Sequence, residues 1–185
     1  MKPLIVALTG ASGSLYGVRL LELLKERELP VQLIVSAMGR EVLRRETDLS
    51  SEQVAQASGA VLLADEDLAA PPASGSFPTS GMVICPASQH TVAAVAHGLC
   101  DTLIRRAAAV TLKERRPLIV VPREAPLSIP MLEGWLLLAR AGAVVLPAAP
   151  PFYRRPRSLP ELVDALVDRI LSQLGLPGIL PPWAE

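Results

Sequence analysis

Aromatic side chains make up only 3% of this 185-residue chain, and it carries just two histidines and two cysteines. With so few rings, the core has to be built from Leu, Val, Ala and Ile. Cys85 and Cys100 cannot form a disulfide framework, and two lone thiols suit a reducing cytosol. The histidines and cysteines fall at no recognised ligand spacing and no carboxylate cluster recurs, so no metal site is expected. A surplus of one charge sign is missing too, because 18 Lys and Arg balance 18 Asp and Glu. A protein that lived on nucleic acid would show a basic excess, so no such partner is expected. No apolar run reaches membrane-spanning length; the best candidate, residues 136–146, is split by Arg140 and Gly142. The opening MKPLIVALTG turns into a Gly-rich loop with no cleavage region of a signal peptide. These absences leave a cytoplasmic protein without a membrane span.

Hydrophobic residues, by contrast, make up 50% of the chain, the reverse of a disordered composition. The length fits one compact domain over residues 1–185, with an irregular Pro-rich tail at 175–185. A monomer of this size has difficulty hiding so much apolar surface, so a homo-oligomer is expected. Short apolar, β-branched runs at residues 3–9, 30–36, 60–63, 81–85, 117–121 and 143–146 read as strands. Continuously apolar strands of this kind belong to parallel sheets covered on both faces. Helical patterns fill the gaps at residues 15–26, 38–45, 91–96, 101–114, 129–141 and 159–174. Strand and helix in alternation predict an α/β fold, a doubly wound, Rossmann-like (flavodoxin-like) parallel sheet. Residues 69–80 and 147–160 are long Pro-rich loops at strand ends, where open α/β sheets bind ligands.

Three stretches could carry chemistry. The first strand runs into Thr9-Gly10-Ala11-Ser12-Gly13-Ser14, small residues that let backbone N–H groups approach a phosphate at a helix N-terminus. The glycine spacing is not that of the dinucleotide fingerprint, and a plain tight turn is the other reading. The fourth strand leads into Ser88-Gln89-His90-Thr91, either a helix cap or a second anion- or flavin-contacting loop. His90 lacks a visible acidic partner, so a surface role stands beside a general-base role. Arg105, Arg106 and the run Lys113-Glu114-Arg115-Arg116 precede Arg123-Glu124, which follow directly after an apolar strand. An Arg beside a Glu at that edge suits an anion paired with a proton donor or acceptor, while 113–116 also reads as a solvated helix end. Tyr153, Arg154, Arg155 and Arg157 add positive charge beside a ring, so a focused anionic pocket is expected.

Taken in order, TGASGSLYG, VSAMG, RRETD, APPASGS, MVICPAS, LIRRAA, LKERRPLIVVPREAP, GAVVLPAAPPFY and DRIL resemble the flavin prenyltransferase family of the bacterial UbiX type. Its members were once called aromatic-acid decarboxylase subunits. The likeness spans nearly the whole chain. It implies transfer of a dimethylallyl unit from dimethylallyl monophosphate to N5 and C6 of reduced FMN, without a metal. The prenylated FMN then serves a UbiD-type decarboxylase, ubiquinone synthesis being one common setting. The family also implies a homo-oligomer, typically a dodecamer, with active sites between subunits. By motif, Gly10, Ala11, Ser12, Ser36, Ser88, Gln89, His90, Thr91 and Arg123 would contact FMN. Arg106, Lys113, Tyr153 and Arg169 would hold the dimethylallyl phosphate, with Glu46 completing that site. Glu124 would act in proton transfer and Ser12 near N5, and Trp183 would add a ring if the tail reaches a pocket. His90 departs from the family pattern, and the stretch after Glu46 is short. A flavin-dependent cysteine decarboxylase, or a flavin-binding subunit without activity, is the alternative.

Overall fold

The computed structural model describes residues 1–181, so Trp183 lies outside the described residues. Six strands form one all-parallel sheet: β1 (Leu4–Leu8), β2 (Val31–Val35), β3 (Val61–Leu63), β4 (Gly81–Ala87), β5 (Leu118–Pro122) and β6 (Val144–Val145). Their order across the sheet is β3-β2-β1-β4-β5-β6. The chain therefore winds outward from β1 in one direction, returns, and continues from β4 in the other. β1 and β4 flank the switch point, where the connections leave to opposite faces and a crevice opens.

Strand periodicity sorts the core onto two faces. Leu4, Val6, Leu8, Val83, Cys85, Ile119 and Val121 point to one side, packed with Leu20 and Leu24 and with Leu166 and Ile170. These belong to α1 (Ser14–Glu26) and α7 (Leu159–Gln173), which share this face with α2 (Ala37–Thr47) and α3 (Ser51–Ser58). Ile5, Ala7, Met82, Ile84, Leu118 and Val120 point to the other side. There they meet Val92, Leu103 and Leu138 from α4 (Gln89–Ala96), α5 (Leu103–Lys113) and α6 (Ile129–Arg140). With both faces covered, the central strands are buried along their whole length, which is why they read as unbroken apolar runs.

Beyond shifts of one or two residues at helix ends, the structure departs from the sequence expectation at α3, β4 and β6. α3 was not expected, yet Ser50 and Gln53 form a reciprocal capping box that starts it. The fourth strand runs two residues further, through Pro86 and Ala87, with a register shift against β5 between Ile84 and Ala87. The last strand shrinks to two residues. Residues 69–80 hold only a single 3-10 turn, Pro71–Ala73, in keeping with a loop.

Candidate active site

The carboxyl ends of β1, β2, β4 and β5 all deliver their loops to one edge of the sheet. Thr9 ties the two central loops together there. Its hydroxyl donates to the Pro86 carbonyl at 2.9 Å and accepts from the Ser88 N–H at 2.7 Å. Past Thr9 the chain has to pass close under the start of α2. A Cβ on Gly10 would stand 2.6 Å from the Met38 Cβ, so only glycine lets the two segments meet. Gly13 then turns with φ 115° to start α1, a backbone region that other residues rarely adopt.

A cavity of about 310 Å3 opens beside this junction. Gly10, Ser36, Met38, Ser88, His90 and Thr91 line it, joined by Asp65, Thr102 and Arg105. Three of the four hydroxyls on this wall start a helix. Ser36 accepts from Gly39 N–H and starts α2, Ser88 accepts from Thr91 N–H and starts α4, and Thr102 accepts from Arg105 N–H and starts α5. Asp65, buried, holds the α5 end by accepting from the N–H groups of Leu103 and Ile104.

The glycine-rich loop already holds an anion of its own. The Glu46 carboxylate, at the end of α2, accepts from Gly13 N–H at 3.0 Å and from Ser14 N–H at 2.7 Å. Burial alone would push its pKa up, but hydrogen bonds from Ser12, Gly13 and Ser14 outweigh that and hold it below the ordinary carboxylate range. The α1 N-terminus is therefore occupied by a protein carboxylate, with Ser12 exposed beside it and Ala11 buried beneath. Tyr16 stands in the first turn of α1, which follows this loop. Burial raises its pKa, the Cys85 thiol and the Glu46 carboxylate push the same way, and the Arg123 guanidinium opposes them. Its phenol thus stays neutral between a carboxylate and a guanidinium. Burial likewise pushes the Cys85 thiol up, which leaves it inert.

The remaining expected residues are dispersed. Arg123 and Glu124 emerge exposed from β5, with Arg123 N–H directed at the Ala87 carbonyl and the Glu124 carboxylate accepting from Ala125 N–H. The Gln89 side chain turns away from the crevice, toward α6, and accepts from Trp135 Nε1 at 3.0 Å. Arg106 donates to the Ala73 carbonyl at 2.9 Å and so braces the 69–80 loop. Lys113 pairs with Glu114 at the far end of α5, and Tyr153 and Arg169 are exposed on the 147–160 loop and on α7. One chain thus brings together Gly10, Ala11, Ser12, Ser36, Glu46, Ser88, His90, Thr91 and, close to Tyr16, Arg123. It does not bring Arg106 or Lys113 to that crevice. The sequence reading named Thr9 in the first loop but not its tie to Pro86 and Ser88, counted Arg105 only among the basic residues of the third stretch, and missed Tyr16, Asp65 and Thr102. The single legible signal among them was Thr102, a cap residue ahead of an apolar helix.

A model of the Flavoprotein family matches residues 1–134. The flavin prenyltransferase UbiX of Pseudomonas aeruginosa is 48% identical, an alignment that covers 97% of this chain and 93% of the relative. This chain belongs to the flavin prenyltransferase family. Among solved structures, AnUbiX (PadA1) in complex with FMN and dimethylallyl pyrophosphate superposes with TM-score 0.96 at 38% identity, covering 100% of this chain and 98% of that one. The dodecameric FMN-dependent UbiX-like decarboxylase of Escherichia coli O157:H7 superposes with TM-score 0.94 at 40% identity, covering 99% of each chain. The family fold is the doubly wound sheet described above.

Proposed function

We propose that this protein is a flavin prenyltransferase that transfers a dimethylallyl group from dimethylallyl monophosphate to reduced FMN, releasing prenylated FMN and phosphate. The observation that carries this is the crevice at the β1/β4 switch point, built from the loops that the family shares, in a chain similar to UbiX over nearly its whole length. The cavity fits a flavin in kind: glycine and small hydroxyl residues line a cleft whose helix N-termini favour a phosphate. Bound there, reduced FMN supplies the nucleophilic ring. Gly10, Ala11, Ser12, Ser36, Ser88, His90, Thr91 and Arg123 orient it, and Gln89 contributes through its backbone, since its side chain is engaged with Trp135.

The chain's own chemistry lies in charge placement. Departure of an allylic phosphate builds negative charge on the leaving group, so cations aimed at it lower the barrier. Arg106, Lys113 and Arg169, with the Tyr153 hydroxyl, supply that charge. Glu46 and Ser12 face the reacting edge as a hydrogen-bonded pair, and Glu124 moves a proton at the mouth of the crevice. Because Arg106 and Lys113 lie off the crevice of their own chain, the donor site takes them from a neighbouring copy in a homo-oligomer, a dodecamer in the similar UbiX-like decarboxylase.

The product is a cofactor for a UbiD-type decarboxylase, in ubiquinone synthesis or another pathway that decarboxylates an aromatic acid. We place the enzyme in the cytoplasm, where its two free thiols stay reduced, and take residues 1–185 as one domain. No helix of the described residues is long and apolar enough to cross a membrane.

Anaerobic incubation with reduced FMN and dimethylallyl monophosphate, followed by mass spectrometry of the released flavin, tests this directly. A gain of one dimethylallyl unit is expected. Unmodified FMN from protein that binds it would overturn the assignment.

A further inference from the structure

Resting as it does on the flavin site proposed above, the next step concerns how that site tells FMN from a flavin without a phosphate. Two helices point open ends at the cavity. In α2, Ser36 takes the Gly39 N–H, which leaves the Ala37 and Met38 N–H groups with no protein acceptor among the described residues. In α4, Ser88 takes the Thr91 N–H, which leaves those of Gln89 and His90 in the same condition. The α5 end is different, since Asp65 and Thr102 satisfy its first N–H groups. What α5 offers the cavity instead is a side chain, Arg105.

Arg105 is held as a fixed cation. Its Nη1 donates to both Asp101 oxygens, at 2.6 and 2.8 Å, one turn earlier on the chain. Its Nη2 lies 3.2 Å from His90 Nδ1 and 3.4 Å from Nε2. Near-equal distances to both ring nitrogens place Nη2 over the imidazole face rather than in line with one lone pair, since an in-plane approach would collide with the carbon between them. A guanidinium stacks readily on such a face. The Arg105 side chain is only 12% exposed, and its Nε has no acceptor among the described residues. The cation is largely enclosed although its partner Asp101 is exposed, and Arg105 lines a cavity that two helix ends also face.

We propose that Arg105, fixed by Asp101 and stacked on His90, closes a phosphate site with the N-termini of α2 and α4, and so makes the crevice select FMN over riboflavin. Among the described residues, Asp65 is the one carboxylate on the cavity wall, and its Oδ1 is committed to Ile104 N–H. Four unclaimed N–H groups and a charged fork suit a dianion. His90, which sits where the family pattern does not ask for it, acquires a purpose as the platform that sets the plane of the fork. Asp101 is a positioning residue and touches no ligand.

The same chemistry could serve the phosphate of the allylic donor, and the experiment separates the two sources. Oxidised FMN and riboflavin are titrated into the full-length protein and into Arg105→Ala, Arg105→Lys and His90→Gln, with binding followed by flavin fluorescence. The wild type is expected to prefer FMN. Arg105→Ala should weaken FMN roughly ten- to hundred-fold and riboflavin by no more than about two-fold, since one charge-assisted contact is lost. Arg105→Lys should fall between, because a point charge cannot reproduce the fork, and His90→Gln should show a smaller loss of the same kind. Steady-state assays should show a raised KM for FMN, with that for dimethylallyl monophosphate unchanged.

An unaltered preference for FMN in Arg105→Ala would overturn the proposal and leave the flavin site standing. So would a raised KM for the donor alone. Wild-type protein that binds neither flavin would overturn the site itself, and this inference with it. Riboflavin affinity reports whether each variant keeps its crevice. Should Arg105→Ala fail to fold, Asp101→Asn carries the test: a partial loss of the FMN preference supports the proposal, and an intact one refutes it.

Discussion

Glu46 shows how one side chain can settle the role of a whole loop. Its carboxylate fills the N-terminus of α1, so the phosphate-like position that the glycine-rich sequence advertises is already taken. The consequence for stability has a definite sign. Its folded pKa lies below the value of about 4.5 that it has when exposed, so folding binds the ionised form more tightly. Its contribution is fully present above that unfolded value and is lost as the pH falls through the folded one. Glu46→Gln removes the charge. In urea unfolding, the variant should be less stable than the wild type at pH 7, by no more than about 1 kcal/mol after solvent screening. That gap should close toward pH 3. An equal gap at both pH values would mean that the amide fails for reasons of shape rather than charge.

Among the elements, the 69–80 loop depends on α5 and on the turn that follows it. Arg116 Nη1 donates to the Phe77 carbonyl at 2.8 Å and to the Thr79 hydroxyl at 3.2 Å, while Nη2 donates to the Gly75 carbonyl at 2.7 Å. Arg106 adds the bond to Ala73. A Pro- and Ser-rich segment with no ladder of its own thus borrows its shape from two arginine side chains. Arg116→Ala should cost about 1–3 kcal/mol, because three acceptors lose a charged donor. Limited proteolysis should then cut within residues 74–79 well before the rest of the chain. Unchanged protection of that loop would show that Pro71, Pro72 and Ala73 hold it without help.

The same element explains what the sequence could and could not tell. Strands were legible because a parallel sheet covered on both faces needs continuous apolar residues, and β1, β4 and β5 have them. The loops at their ends were legible as ligand-binding because fold topology puts them there. α3 carried its signal in Ser50 and Gln53, the two halves of a capping box, but its eight residues give little periodicity to read. Arg105 was harder. In sequence it is half of an Arg pair on an amphipathic helix, and such charges ordinarily face water; only the packing of α5 beside α4 turns it to the cavity. Gln89 differs the other way: its place in the loop pointed to the flavin, while Trp135, 46 positions later, draws its side chain aside and leaves only its backbone to the crevice.

At the scale of the molecule, the donor site proposed above, with Arg106 and Lys113 in it, is one that a single chain does not complete. Arg105 is the last residue of α5 on the cavity wall and Lys113 closes the same helix, so Lys113 lies about 12 Å further along the axis. The surface is also unfinished. On α6, Ile129, Leu132 and Leu136 are 72%, 49% and 49% exposed at positions that fall on one side of the helix, and Phe152 is 74% exposed. Apolar side chains this open are suited to contact another copy.

If each site combines the crevice of one chain with Lys113 of another, two different lesions can rescue one another. Lys113→Ala removes the borrowed cation, and Arg123→Ala removes a flavin contact at the home crevice. Each variant alone should retain little turnover. Unfolded or co-expressed together in equal amounts and assembled, they should recover about a quarter of the wild-type activity, the fraction of sites that draw both intact groups by chance. Size-exclusion chromatography must show the same assembly for the mixture as for the parents. A mixed oligomer no more active than either parent would mean that every site is built within one chain, with α5 moving Lys113 into place by a rearrangement that its packing against β4 and β5 opposes.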